Sequence, residues 1–374
     1  MTARVALMAN TLCYPEGGGH TWVYLNWALG LRSAGCEVVW LEGLGGHEPP
    51  DRVRAGVDDL RARLRPYGLE LAVALCSRDG APVDPSALDG ALDLDAATES
   101  DLLLDLGYLD APNVVRLFRR SALVDIDPGR LQLWMSRDEL PIPDHDAYFT
   151  IAENLGRGVP DLGLRWHHTP PCVSLDWWRP HPAEEGAAFT TVSHWRAHEW
   201  MEDDGEVYAN DKRAGFMPFL DLPGRTDVPL ELALCLGDDE EDERLSLEDH
   251  GWAVRHSYSV ASTPWDYRDY VRGSLGEFSC AKPSSVRLRQ AWLSDRTACY
   301  LASGKPAVVQ HTGSSRLMHD SEGLLRFNTI DEAVGQLEAV ASDYERHSAA
   351  ARAFAEEHLD AAKVAASVVE RALA

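Results

Sequence analysis

The sequence has little positive charge, no long apolar run and no paired cysteines, and each shortage excludes a class of function. Lys plus Arg number 35 against 60 Asp plus Glu, a formal net charge of −25. A surface of that sign repels a polyanion, which excludes a protein that tracks nucleic-acid phosphates, although a local basic site inside a cleft stays compatible with it. No apolar run approaches the roughly 18 to 20 residues that cross a bilayer. The opening "MTARVALMAN" also lacks the apolar centre and small-residue cleavage site of a secretory signal, so a cytoplasmic protein with no transmembrane segment is expected. The seven cysteines are odd in number and scattered, with no C-x-x-C pair, which favours buried thiols in a reducing compartment over disulfides or zinc.

What is present suits a globular protein. Hydrophobic residues make up 45% of the 374 residues and include 12 Trp, ample for two domains with separate cores. The N-terminal stretch reads as strand "RVALMAN", loop "TLCYPEGGG", helix "HTWVYLNWALGLRSAG" and strand "EVVWLEG", with Gly35 where a helix C-terminal glycine belongs. Such a βαβ unit implies a parallel sheet covered on both faces, and the runs "LELAVALC", "DLLLDLGYL", "ALVDID" and "AYFTIAEN" continue it. The Pro- and Trp-rich segment "RWHHTPPCVSLDWWRPHPAEEG" then interrupts regular structure and reads as a stiff hinge. Alternation restarts with "AFTTVSHW", "PLELALCLG", "GWAVRHSYS", "SLGEFSC" and "PAVVQ". The acidic run "GDDEEDERLSLEDH" reads as a solvated loop, and Thr329 with Glu332 as the capping box of a C-terminal helical region. The expected fold class is α/β, two Rossmann-like doubly wound domains facing a cleft. Residues 1–180 form the first domain and 181–374 the second, with the last helices free to pack back on the first.

In open α/β sheets ligands bind beyond the C-terminal ends of the strands, so the loops there are the candidate sites. Gly17, Gly18 and Gly19 allow close backbone approach and start a helix whose amides favour anionic or oxygen-rich groups, but neither a dinucleotide fingerprint nor a P-loop is present. His20 is either a cap or surface residue or, given a carboxylate to orient it, a general base; Asp105, Asp125 and Asp127 follow apolar strands and are placed to orient it. The pair Asp125 and Asp127 is as well suited to a turn and pocket wall as to a metal. The densest cluster, residues 276–313, carries Lys282, Arg287, Arg289, Arg296 and Lys305 against Glu277 and Asp295. That local reversal of charge suits a diphosphate. Ser294 and Asp295 fit the start of a helix, and Thr312 and Gly313 follow a strand.

The element "SDRTACYLASGKPAVVQHTG", together with "GGGHTWVYLNWALGLRSAGCEVVWLE", "YFTIAENLG" and "EFSCAK", resembles the two-domain GT-B glycosyltransferases of the broad group 1 type, including the spore-protein CgeB-like branch. The resemblance implies a nucleotide-sugar donor held mainly by the C-terminal domain and an acceptor, expected to be a small molecule, held mainly by the N-terminal one. It implies no cofactor beyond the donor, and a homodimer is compatible with it. Donor-binding residues would then be Gly18, Gly19, Ser193, Arg196, Lys282, Arg289, Ser294, Asp295, Arg296, Thr312 and Gly313. Cationic partners for the leaving diphosphate would remove the need for a metal. If the reaction inverts, His20 paired with Asp125 or a neighbour would deprotonate the acceptor; if it retains, His20 would bind substrate. Two acidic positions usual in group 1 enzymes fall here at Ala291 and Cys299. An epimerase on the same architecture, and a GT-B chain that binds without catalysis, are the alternative readings. Trp22, Tyr24 and Trp195 are read as core residues or as stacking platforms for a sugar.

Overall fold

Apolar strands buried on both faces need helices above and below them, and the computed structural model shows that arrangement twice. It describes residues 3–374 apart from 46–48, 79, 110, 156–159, 161, 198, 204 and 238–239. The chain divides into two compact units: unit 1 is Met1–Ile151, Pro160–Ser174 and Asp360–Ala374, and unit 2 is Ala152–Val159 and Leu175–Leu359. The sequence reading set the boundary at 180; by contacts the chain changes unit at Ser174 and Leu175, and its last segment belongs to unit 1.

Unit 1 is built on β1 (Arg4–Ala9), β2 (Glu37–Leu44), β3 (Val73–Ser77), β4 (Leu102–Asp105), β5 (Ser121–Asp125), β6 (Ala147–Thr150) and β7 (Trp166–His168). These form one seven-stranded sheet in the order β3-β2-β1-β4-β5-β6-β7. Every pairing is parallel, with Leu7 opposite Trp40 on one side and Leu104 on the other. The order reverses between β1 and β4, the switch point at which such sheets take ligands. Helix Gly18–Ser33 is apolar nearly all round because both its sides are covered. The final helix, Ala361–Leu373, lies against it so closely that a Cβ on Gly30 would sit 2.5 Å from the Ala361 carbonyl oxygen. The amide of Ser174 donates to Asn26 Oδ1 at 3.0 Å and that of Ala361 to the Val173 carbonyl at 3.0 Å, fixing both returning segments.

Unit 2 carries β8 (Phe189–His194), the antiparallel ribbon β9 (Trp200–Asp203) and β10 (Glu206–Ala209), then β11 (Leu230–Cys235), β12 (Ala253–His256), β13 (Gly276–Ser279), β14 (Ala307–Gln310) and β15 (Leu324–Phe327). Its six-stranded parallel sheet runs β12-β11-β8-β13-β14-β15. Trp195, Phe216, Trp252, Phe278 and Phe327 form an aromatic core on one face, with Phe278 stacked on Phe327 at 5.3 Å between centroids. Each such ring contributes about 1.5–3 kcal/mol by leaving water. Two expectations need correction. The acidic run is helix Glu241–Asp249, not a loop, and two of its side chains clamp arginines, so the segment is structural; its residues 238–239 lie outside the described set. The Pro/Trp segment contains β7. Trp22, Tyr24 and Trp195 are core residues, each at most 2% exposed, the first of the two roles expected of them.

Candidate functional site

In unit 1 the loop between β1 and helix Gly18–Ser33 is held from below by a carboxylate the sequence reading passed over. Glu42 is fully buried on β2 and accepts from the amides of Thr11 (2.9 Å) and Leu12 (3.3 Å), from Trp40 Nε1 (2.8 Å) and from the Thr11 hydroxyl. Burial pushes its carboxyl above the usual range. A Cβ on Gly17 would lie 2.2 Å from the Tyr14 ring, so a larger residue there would displace that side chain. Gly18 and Gly19 form the first turn of the helix, which no side chain caps. His20 Nε2 lies 2.8 Å from the Asn10 carbonyl, and Tyr14 and Tyr24 stand edge-on to its ring. A carbonyl can only accept, so Nε2 carries the proton. Beside the loop is a pocket of about 350 Å³ whose lining includes Thr11, Cys13, Thr21, Leu44, Arg52 and Arg63.

The expected pairing of His20 with Asp125 is not what the structure shows. Asp125 ends β5 fully buried and accepts from Gln132 Nε2 (2.8 Å), Thr150 Oγ1 (2.9 Å) and the Asp127 amide (3.0 Å). Burial raises its carboxyl to about 7. Asp127 pairs with Arg130 at 2.7 Å, so neither member of the Asp-x-Asp pair is set up as a metal ligand. Asp105 likewise turns inward, taking the amides of Gly107 (3.1 Å) and Leu109 (3.0 Å), with His145 Nε2 at 3.4 Å.

In unit 2 the loops after β13 and β14 are the comparable site. Lys282 follows β13 and pairs with Glu199 at 3.2 Å. Behind it is Lys212, another residue missed in the sequence: it is buried, donates to the Cys280 carbonyl at 2.5 Å and lies 5.8 Å from the Trp292 ring centroid. Burial, reinforced by Arg296 and Lys282, lowers its ammonium to about 7. Arg289 and Ala291 both hold a left-handed backbone, φ 48° and 54°. The Ala291 amide donates to the Thr312 carbonyl at 2.8 Å, and a Cβ on Gly313 would lie 2.3 Å from the Arg289 carbonyl, so this strained loop and Gly313 require each other. Glu153 and Asn154 staple the same region. Asn154 donates to the carbonyls of Gln290 (3.0 Å) and Ser314 (2.9 Å), and Glu153 accepts from the Leu317 amide (3.3 Å), the Arg316 amide and the Ser315 hydroxyl. Of that motif as quoted, Gly156 lies outside the described residues.

The remaining sequence candidates divide. Arg289 is exposed and, among the described residues, its guanidinium has no hydrogen bond or ion pair, which leaves it able to meet an anion. Arg296 is not so placed: it donates to Glu277 (2.7 Å), to the Val192 carbonyl (3.1 Å) and to Ser279 (2.6 Å), a nearly buried internal pair that corrects its reading as a phosphate ligand. Arg196 is also spent, on Glu240 (3.2 Å) and Glu243. The Ser193 and Thr312 hydroxyls donate to the carbonyls of His194 and Trp292, both at 2.8 Å, and Ser294 caps helix Asp295–Ala302. Asp295, in its first turn, is raised to about 7 by burial. Cys299 and Ala291 are buried.

No protein-family model matches the sequence, and no curated protein matches it. Solved structures do match in fold over nearly the whole chain. An alpha-glucosyltransferase in complex with UDP-glucose and DNA containing an abasic site aligns with TM-score 0.61 at 11% identity, covering 100% of both chains. Anabaena HepE in complex with UDP-glucose aligns with TM-score 0.59 at 12% identity, covering 99% of each. AviGT4, a glycosyltransferase involved in avilamycin A biosynthesis, aligns with TM-score 0.55 at 13% identity, covering 99% of this chain and 96% of that one. The shared architecture is the GT-B fold.

Proposed function

We propose that the chain is a glycosyltransferase of the group 1 type, its CgeB-like branch included, which moves a sugar from a nucleoside diphosphate sugar to a small-molecule acceptor in the cytoplasm. The observation that supports this most is the pair of cations Lys282 and Arg289 beyond the strand ends of unit 2, beside the strained loop that Gly313 locks, with Lys212 buried behind them. Cationic groups held in place before reaction stabilise the charge that develops on a leaving diphosphate without reorganising. The alpha-glucosyltransferase and HepE structures of similar fold are complexes with UDP or UDP-glucose, which makes a UDP sugar the first donor to try.

On this reading no metal is needed, and the pocket beside the glycine loop of unit 1 takes the acceptor. If the reaction inverts, His20, which stands at the head of the same helix but outside the lining of that pocket, would be the base through Nδ1, because Nε2 is fixed on the Asn10 carbonyl; if it retains, His20 binds substrate. Asp125 then positions the loop after β5 and does not orient His20. Asp295, with a carboxyl raised to about 7, is the acidic group nearest in sequence to those that Ala291 and Cys299 replace.

Titration with UDP and UDP-glucose, comparing wild type with Arg289→Ala and Lys282→Ala, tests the donor site. Binding that weakens about tenfold or more in each variant is expected; no binding to wild type sinks the reading. Incubation of UDP-glucose with hydroxylated acceptors then separates the alternatives. Transfer that falls in His20→Ala supports a transferase, a changed donor without acceptor identifies an epimerase, and binding without turnover identifies a GT-B chain that serves only to bind. The loss of both usual acidic groups is what favours that last alternative.

A further inference from the structure

A second group of cations lies at the other edge of the unit 2 sheet. Lys305 precedes β14, and helix Pro264–Gly273 leads into β13, so both stand before the strands whose far ends carry the donor loops. Asp176, Trp177, Arg179, Arg268 and Arg272 line a pocket of about 550 Å³. Its frame is rigid: Trp178, fully buried, packs edge-on against Tyr267 of that helix at 6.0 Å, and Arg352 donates to the Trp178 carbonyl at 2.8 Å.

These cations are poorly matched by the protein's own anions. Among the described residues the Arg272 guanidinium has no hydrogen bond or ion pair, and its Nε is buried. Arg268 has only the adjacent Asp269, 3.5 Å from an Nε that makes no hydrogen bond. Arg179 donates to the Asp176 carbonyl at 3.0 Å, leaving its two terminal nitrogens for other partners. Behind Arg272, the Lys305 ammonium is fully buried without a hydrogen-bond partner, repelled by Arg272 and attracted by Glu184. The carboxylates at hand are thus Asp176, Asp269 and Glu184, and the C-terminal end of the helix adds only about half a negative charge. In a chain with 60 acidic residues, arginines around a pocket with so few of their donors used are open to an anion from outside.

We infer that this pocket is a second ligand site, distinct from the donor loops, that binds a phosphorylated small molecule through Arg268, Arg272 and Arg179, with Trp177 as a wall for its ring. Arginine forks match phosphate oxygens in pairs, and an indole face suits the apolar side of a sugar. The volume admits a sugar phosphate and is too small for a polymer.

Calorimetric titration of the full chain with ribose 5-phosphate, with and without excess UDP, tests the inference. The expected result is binding that UDP leaves unchanged and that Arg272→Gln and Arg268→Gln each weaken about tenfold or more. Arg179→Gln, at an exposed position, provides a variant whose folding is not at stake and should weaken binding several-fold. No binding to wild type, competition by UDP, or unchanged affinity in both Arg179→Gln and Arg268→Gln would overturn it. Whether the chain transfers sugars does not enter the outcome.

Discussion

Unit 1 and unit 2 share a doubly wound plan but finish their strands with opposite charge. In unit 1 the groups there are buried carboxylates: Glu42 takes the amides of Thr11 and Leu12, Asp105 those of Gly107 and Leu109, and Asp125 that of Asp127. Loop amides that could hold a phosphate are thereby occupied, and the carboxylates repel one. In unit 2 the same edge carries Lys212, Lys282 and Arg289. One architecture thus ends several strands on buried carboxylates in one unit and on cations in the other, and the difference rests on a few side chains below the loops.

The comparison can be broken most severely at Arg296. Removing it strands the buried Glu277 carboxylate, so Arg296→Ala should lose about 3–5 kcal/mol in urea unfolding; a loss under ~1 kcal/mol would show that Arg296 serves a ligand and not the fold. Next is Glu42→Leu, which orphans the Thr11 and Leu12 amides and the Trp40 indole, each costing about 1–3 kcal/mol if buried unpaired, for a total of about 2–4 kcal/mol after relaxation. Stability unchanged from wild type would remove Glu42 as the support of the glycine loop. Arg289→Ala should leave unfolding within ~0.5 kcal/mol of wild type while UDP affinity falls by about 1.4 kcal/mol or more.

A probe that needs no substitution is pH. Asp125, raised from 3.8 to about 7, contributes stability that is full below its unfolded value and is lost as pH climbs from about 4 to 7. Lys212, lowered from 10.5 to about 7, does the opposite: its buried charge costs stability at low pH, and the cost is relieved as pH rises from 7 toward 10.5. Each slope is about 1.4 kcal/mol per pH unit inside its window. Asp125→Asn should abolish the first and Lys212→Met the second. Variants that keep both slopes would mean that the charges reach water.

Much of the fold was legible because its signals are local. Continuous apolar runs located β1 to β6, Gly35 does hold the left-handed turn after its helix, at φ 87°, and Thr329 and Glu332 do form the capping box. What escaped depends on partners far away in sequence. The ribbon β9–β10 has Trp200 and Val207 exposed, so it lacks the apolar density that marks a strand. Arg296 carries a charge that a sequence cannot aim; only Glu277, 19 residues earlier, turns it inward. Arg196 is spent in the same way by Glu240 and Glu243, and Lys212 reads as a surface residue until β13 brings the Cys280 carbonyl to it.

The helix Ala361–Leu373, wedged onto Gly30, also sets an order of events. As the chain leaves a ribosome, residues 1–174 emerge without the strip that covers one side of helix Gly18–Ser33, and that strip is made only after Leu359 has been added. Unit 2 ends at Leu359, so none of its segments waits on that last helix. The half that is translated earliest is the last to finish, and until then an apolar helix face stays open to chaperones and proteases.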